Sequence, residues 1–74
     1  MDIRRQLGLN VQRFRRNKGW SQEDLGFESG LHRTYISGIE RGTRNPTVVI
    51  VAKLAKTLGT TASTLIDGTG KKAR

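Results

Sequence analysis

Cysteine is absent from the chain, and histidine occurs once. The first fact excludes disulfides and thiolate metal sites. The second excludes a cluster of histidine ligands, so no metal centre is expected. No stretch is apolar for long enough to span a bilayer. The opening segment MDIRRQLG has none of the apolar run of a secretion signal. These absences fit a cytoplasmic protein. No Gly-rich phosphate loop follows a strand-like segment, and the acidic residues are scattered over capping and surface positions with no carboxylate pair among them. An enzyme is therefore not expected, nor a cofactor or a small-molecule ligand. Internal repeats and Pro-rich linkers are missing as well.

What is present is positive charge. Fourteen Lys and Arg stand against six Asp and Glu, a net charge of +8 on 74 residues. Such a balance favours a polyanion: DNA, RNA or an anionic membrane surface. The membrane reading is weak, because the basic residues do not line one face of a long amphipathic helix. The length allows one small domain with a marginal core. Apolar residues recur regularly through most of the chain, which marks it as folded.

The spacing predicts five helices and no strand. Ile3, Leu7, Val11 and Phe14 recur at helical steps, with Asp2 as a cap and Asn17-Lys18-Gly19 as a stop. Ser21 and Asp24 have the spacing of a capping box, and Trp20 with Leu25 that of a hydrophobic staple. Ser29-Gly30 ends this short second helix. A third helix runs from about His32 to Arg41 and stops at Gly42. Pro46 suits the first position of a fourth helix, whose apolar stripe is Val48, Val51, Leu54, Ala55 and Leu58. Thr47 to Val51 is β-branched and would also suit a strand, but helical spacing continues through Leu58. Thr61 can cap a last short helix carrying Leu65 and Ile66. Residues 1–67 thus form the domain, and 68–74 a flexible basic tail.

On a wheel of about 100° per residue, Tyr35, Ile36 and Ile39 fall on one side of the third helix. Arg33, Thr34, Ser37, Gly38 and Arg41 fall on the other. The second side is basic, polar and low in profile, with Ser37 and Gly38 leaving room for a groove wall. Such a helix suits a major groove: the Arg fork meets two acceptors of guanine, and Thr bonds a base or touches a thymine methyl. A merely solvated polar face is the competing reading. The short Gly turn between the second and third helices and the net charge favour DNA.

The segment SQEDLGFESGLHRTYISGIERGTRNP resembles the helix-turn-helix of the Cro and phage-repressor-like superfamily, of xenobiotic-response-element type. The resemblance extends from about Leu7 to Ile66, through LG at Leu7-Gly8, FR at Phe14-Arg15, SQEDL from Ser21, YISGIERG from Tyr35, NP at Asn45-Pro46 and LAKTLG from Leu54. It implies an all-α, five-helix fold of lambda-repressor-like type, with the helix from His32 as recognition helix. It implies base reading by His32, Arg33, Thr34, Ser37 and Gly38. It implies phosphate contacts from Gln22, which can also bridge to the recognition helix, and from Arg41, Thr43, Arg44 and Asn45. Arg15 and Glu40 match a pair that ties the first helix to the end of the third, with Arg15 also open to a phosphate. Three positions depart from the pattern: Gly26 where Ala is usual, Ser29 where an apolar residue is common, and His32 where Ser or Thr caps.

The resemblance further implies a homodimer on a near-palindromic double-stranded DNA operator, nucleoid-associated when bound. Val49 and Ile50 lie off the stripe of the fourth helix and, with Leu65 and Ile66, are expected at the dimer interface. Isolated exposed apolar residues are the alternative. Controllers of restriction-modification systems, phage repressors and small chromosomal regulators all fit this description. An interaction adapter or antitoxin-type partner on the same fold is the alternative function. The sign of regulation and the operator sequence stay open.

Overall fold

The computed structural model describes residues 2–67, which form five helices and no strand. The expected tail, 68–74, lies outside the described residues. Helix α1 (Ile3–Asn17) opens at Asp2, whose carboxylate accepts the Arg4 amide at 2.8 Å. Helix α2 (Gln22–Ser29) opens with both halves of a capping box. The Asp24 amide donates to Ser21 Oγ at 3.0 Å, and the Ser21 amide donates to the Asp24 carboxylate at 2.9 Å. Gly30 then turns the chain with φ 76°, a conformation that a Cβ disfavours. Helix α3 (Arg33–Arg41) follows after two residues and ends at Gly42, φ 78°.

Helix α4 (Val48–Leu58) begins two residues later than the proline suggests. Thr47 is its cap, its hydroxyl accepting the Ile50 amide at 3.2 Å, so Pro46 stands before the cap rather than at the first helical position. The side-chain acceptor decides the boundary, because it satisfies one of the free amides of the first turn. Helix α5 (Ala62–Asp67) starts where Thr61 Oγ1 accepts the Thr64 amide at 3.2 Å.

The core joins Leu7 and Val11 of α1, Leu25 of α2, Ile36 and Ile39 of α3, Val51, Leu54, Ala55 and Leu58 of α4, and Leu65 of α5. Phe14, Trp20, Leu31 and Tyr35 pack at its edges. The periodic stripes are therefore the buried faces, with two corrections. Ile3 and Val48 are 60% and 73% exposed. Both belong to the first turn of their helix, where the stripe runs past the end of the core. A third correction concerns α5. Leu65, expected at a subunit interface, is fully buried within the single chain. Two amides of α1 hold α5 in place: Asn10 Nδ2 donates to the Leu65 carbonyl and Gln6 Nε2 to the Asp67 carbonyl, each at 2.7 Å. These bonds occupy carbonyls that the helix end leaves free.

Two glycines set helix spacing. A Cβ at Gly8 would run into the backbone carbonyls of Ile39 and Glu40, so α1 crosses the last turn of α3 at backbone contact. A Cβ at Gly26 would lie 2.6 Å from the Leu31 carbonyl oxygen, so the departure from Ala tightens the turn between α2 and α3. The other departure inside α2 is also resolved. Ser29 is buried, and its hydroxyl donates to the Leu25 carbonyl at 2.7 Å, which removes the cost of an unpaired polar group.

Gly8→Ala is predicted to destabilise the domain by about 1–3 kcal/mol, although Ala favours a helix interior by roughly 1 kcal/mol. The clash wins because its partner is backbone. A urea titration should show a lower midpoint at unchanged slope.

Candidate nucleic-acid interface

Behind the helix that carries the basic face lies a buried ionic cluster. Arg15 grips Glu40 with a fork, Nε to Oε2 at 2.7 Å and Nη2 to Oε1 at 2.9 Å. Its third nitrogen, Nη1, donates to the Trp20 carbonyl at 2.8 Å, just before α2 begins. Gln22 Nε2 adds a bond to Glu40 Oε1 at 3.0 Å. Arg15 and Glu40 are 8% and 7% exposed. The Glu40 bonds raise the Arg15 pKa above its ordinary value, against the opposing effect of burial. The pair read from sequence is thus formed, and Gln22 bridges to α3 as expected. Arg15 is turned inward: each of its three nitrogens makes a bond within the fold, and its side chain is only 9% exposed.

The outer face of α3 begins with His32. Its side chain is the N-cap: Nδ1 accepts the Thr34 amide at 3.1 Å. The imidazole therefore does the work of the Ser or Thr it replaces. Arg33 and Thr34 are exposed in the first turn. The Arg33 guanidinium lies 4.0 Å from the Glu23 carboxylate, with both side chains mostly in water, so this pair holds Arg33 only loosely. One turn on, Arg41 Nη1 donates to Ser37 Oγ at 3.0 Å.

Two positions differ from the sequence reading. Gly38 is buried, not an open place on the helix face. Arg44 lies across it, and a Cβ there would come within 2.6 Å of Arg44 Cγ. The Arg44 guanidinium continues over the Tyr35 ring, 5.3 Å from its centroid. Gly38 thus seats a basic side chain, and the chain's return after Gly42 decides this. Thr43 is exposed but tied back to α3: its amide and its hydroxyl both donate to the Gly38 carbonyl, at 2.9 and 3.1 Å. Tyr35 joins the site as the platform for Arg44, a role its place on the inner side of the wheel concealed. Asn45 is exposed beside them.

The HTH_3 helix-turn-helix family model matches residues 11–65, which span the later part of α1, all of α2 to α4 and most of α5. The chain belongs to this helix-turn-helix family. It is 48% identical over 69 residues to the control protein C.BamHI of Bacillus amyloliquefaciens, covering 92% of this chain and 85% of that one. Its fold is similar to the restriction-modification controller C.AhdI from Aeromonas hydrophila, with TM-score 0.82, 40% identity, and 88% and 98% of the two chains covered. It is also similar to SinR, the master regulator for biofilm formation, in a structure in complex with DNA. There the TM-score is 0.78 and the identity 31%, over 82% of this chain and 98% of the chain in that structure.

In helix-turn-helix terms, α2 and α3 form the motif, Gly30 is its turn, and Glu40 fixes both helices against α1. Among the described residues no helix is long and apolar enough to cross a membrane.

Removing one partner of the buried pair strands the other's charge. Arg15→Met should destabilise the domain by about 3–5 kcal/mol, and Arg15→Met with Glu40→Leu should recover most of that loss. Thermal melts of the two variants side by side test this.

Proposed function

We propose that the chain is a sequence-specific DNA-binding transcriptional regulator, acting as a homodimer on a near-palindromic operator in the cytoplasm. It works by occupancy, not catalysis. The observation that carries this reading is the first turn of α3. Arg33 and Thr34 stand there exposed, on a helix whose orientation to α2 is fixed by the buried Arg15 and Glu40 pair and the Gln22 bond to it. A rigid helix presenting an arginine fork at its N-terminal end is what base reading in a major groove requires.

The roles divide by geometry. Arg33 and Thr34 read base edges, with His32 beside them and Ser37 a turn further along. Arg41, Arg44 and Asn45 meet the backbone on the far side. Gln22 spends one amide hydrogen on Glu40 and offers the other to a phosphate. Glu23 and Asp24 already complement the positive end of α2, so the phosphate contact rests on the Gln22 amide rather than on a bare helix terminus.

The dimer reading rests on the start of α4. Val48 and Val49 are 73% and 70% exposed, and Ile50 and Ile66 are partly buried against the core. Val48 replaces the buried Leu65 in the proposed interface. A twofold contact would set two recognition helices roughly 34 Å apart, one turn of DNA.

Selection from a random DNA pool at physiological salt should enrich an inverted repeat with half-sites about one turn apart. On that site Arg33→Ala should cost about 1–3 kcal/mol and relax one base position, while Arg44→Ala should weaken all DNA alike and lower the salt slope by about one. Equal losses from both variants on every sequence would remove Arg33 as a base reader. Val49→Glu should run as a monomer in sedimentation and lose more than about tenfold in operator affinity, since one half-site must then bind without its twin.

A further inference from the structure

The sole histidine of the chain, His32, is the cap of α3. Hydroxyl oxygens of Ser21, Thr47 and Thr61 do the same for α2, α4 and α5. A hydroxyl keeps its acceptor lone pairs throughout the neutral range, whereas an imidazole nitrogen accepts only while it carries no proton. The Thr34 amide reaches His32 Nδ1 at 3.1 Å. The proton of the neutral ring therefore sits on Nε2, which is a donor. The ring is exposed and makes no other hydrogen bond among the described residues.

A second proton would undo this arrangement. Nδ1–H and the Thr34 amide would then face each other as two donors. The new charge would stand at the positive end of α3, where the helix dipole opposes it. The charged groups around the ring are Glu23 of α2 and Arg33 of α3, and Gly26, Phe27 and Leu31 complete the cleft. A charged imidazole would repel the Arg33 guanidinium. It would also draw on the Glu23 carboxylate, which lies 4.0 Å from that guanidinium. Each consequence falls on the turn that carries Arg33 and Thr34. Histidine is the side-chain type that ordinarily changes charge between about pH 5 and 8 when cysteine is absent.

We propose that His32 is a proton-sensitive cap of α3. Neutral, it holds the first turn and presents Nε2–H outward; protonated, it releases the Thr34 amide and loosens that turn. The consequence for DNA rests on the reading above, while the bond to Thr34 does not. Base reading needs Arg33 and Thr34 in place, so discrimination between sequences falls as the ring gains its proton. General attraction to phosphate does not fall with it, because the added charge is positive.

The first arm of the test uses the free full chain labelled with ¹⁵N. At about pH 7.5 the ring nitrogen shifts should show Nε2 protonated and Nδ1 bare. On lowering to about pH 5.5, the Thr34 amide resonance should move together with the ring. Its hydrogen exchange should become at least about threefold faster than in His32→Ser at the same pH, since that variant keeps a cap that does not titrate. The second arm compares affinity for the selected operator with affinity for a scrambled duplex at constant salt. Their ratio should fall at least about threefold over the same range in the parent chain and stay constant in His32→Ser. A neutral ring protonated on Nδ1, or a Thr34 amide indifferent to the ring, overturns the proposal. So does a ratio that is flat in the parent chain or falls equally in the variant. A chain that discriminates no duplex at any pH would overturn the DNA reading and the consequence drawn from it, while the ring and Thr34 shifts still decide the cap.

Discussion

The Glu40 carboxylate is where three helices are fixed to one another. One oxygen takes Arg15 Nε, and the other takes Arg15 Nη2 and Gln22 Nε2. The group is almost fully buried, so its desolvation is offset only while all three donors are in place. A well-packed apolar pair would stabilise as much or more. What the ionic cluster supplies is direction, because a fork between guanidinium and carboxylate holds one relative orientation. The angle between α2 and α3 follows from it, and so does the placement of Gln22 relative to Arg33.

Close backbone approach completes that geometry. Gly8 brings α1 against the end of α3, and Gly26 brings α2 against the Leu31 to Arg33 backbone that leads into α3. Each glycine gives up roughly 1 kcal/mol of helix preference for a contact that a Cβ would push apart. Gly38 follows the same rule in a different service: its missing side chain makes the trough in which Arg44 lies before reaching the Tyr35 ring. An arginine that would otherwise lose much rotamer freedom on binding is partly ordered beforehand.

Charge is divided within the motif. The basic side chains of α3 and the following loop form one face, and half the acidic residues sit on the outside of α2. A helix-turn-helix so arranged has a side that attracts phosphate and a neighbouring side that turns it away. Long-range fields therefore orient the domain before any contact is made.

The five helices were legible in the sequence because their signals act within one turn. The Ser21 and Asp24 box, the positive-φ turns at Gly30 and Gly42, and the Thr61 cap each involve residues at most four apart, and all formed where the spacing put them. Arg15 and Glu40 were legible as a pair only through family resemblance, since 25 residues separate them, and nothing local announced their burial. Ile3, Val48 and Leu65 show where periodicity stops: it marks a face of a helix, while the length of the opposing core decides how much of that face is covered. Gly38 and Thr43 show the same for the site. A helical wheel put Gly38 on an open face, and only the return of the chain over α3 laid Arg44 on top of it and spent both Thr43 donors on its carbonyl. Local hydrogen bonding and apolar spacing determined the elements. Which side chains remained free for a partner was decided by contacts between residues far apart in sequence, whose energies no short segment contains.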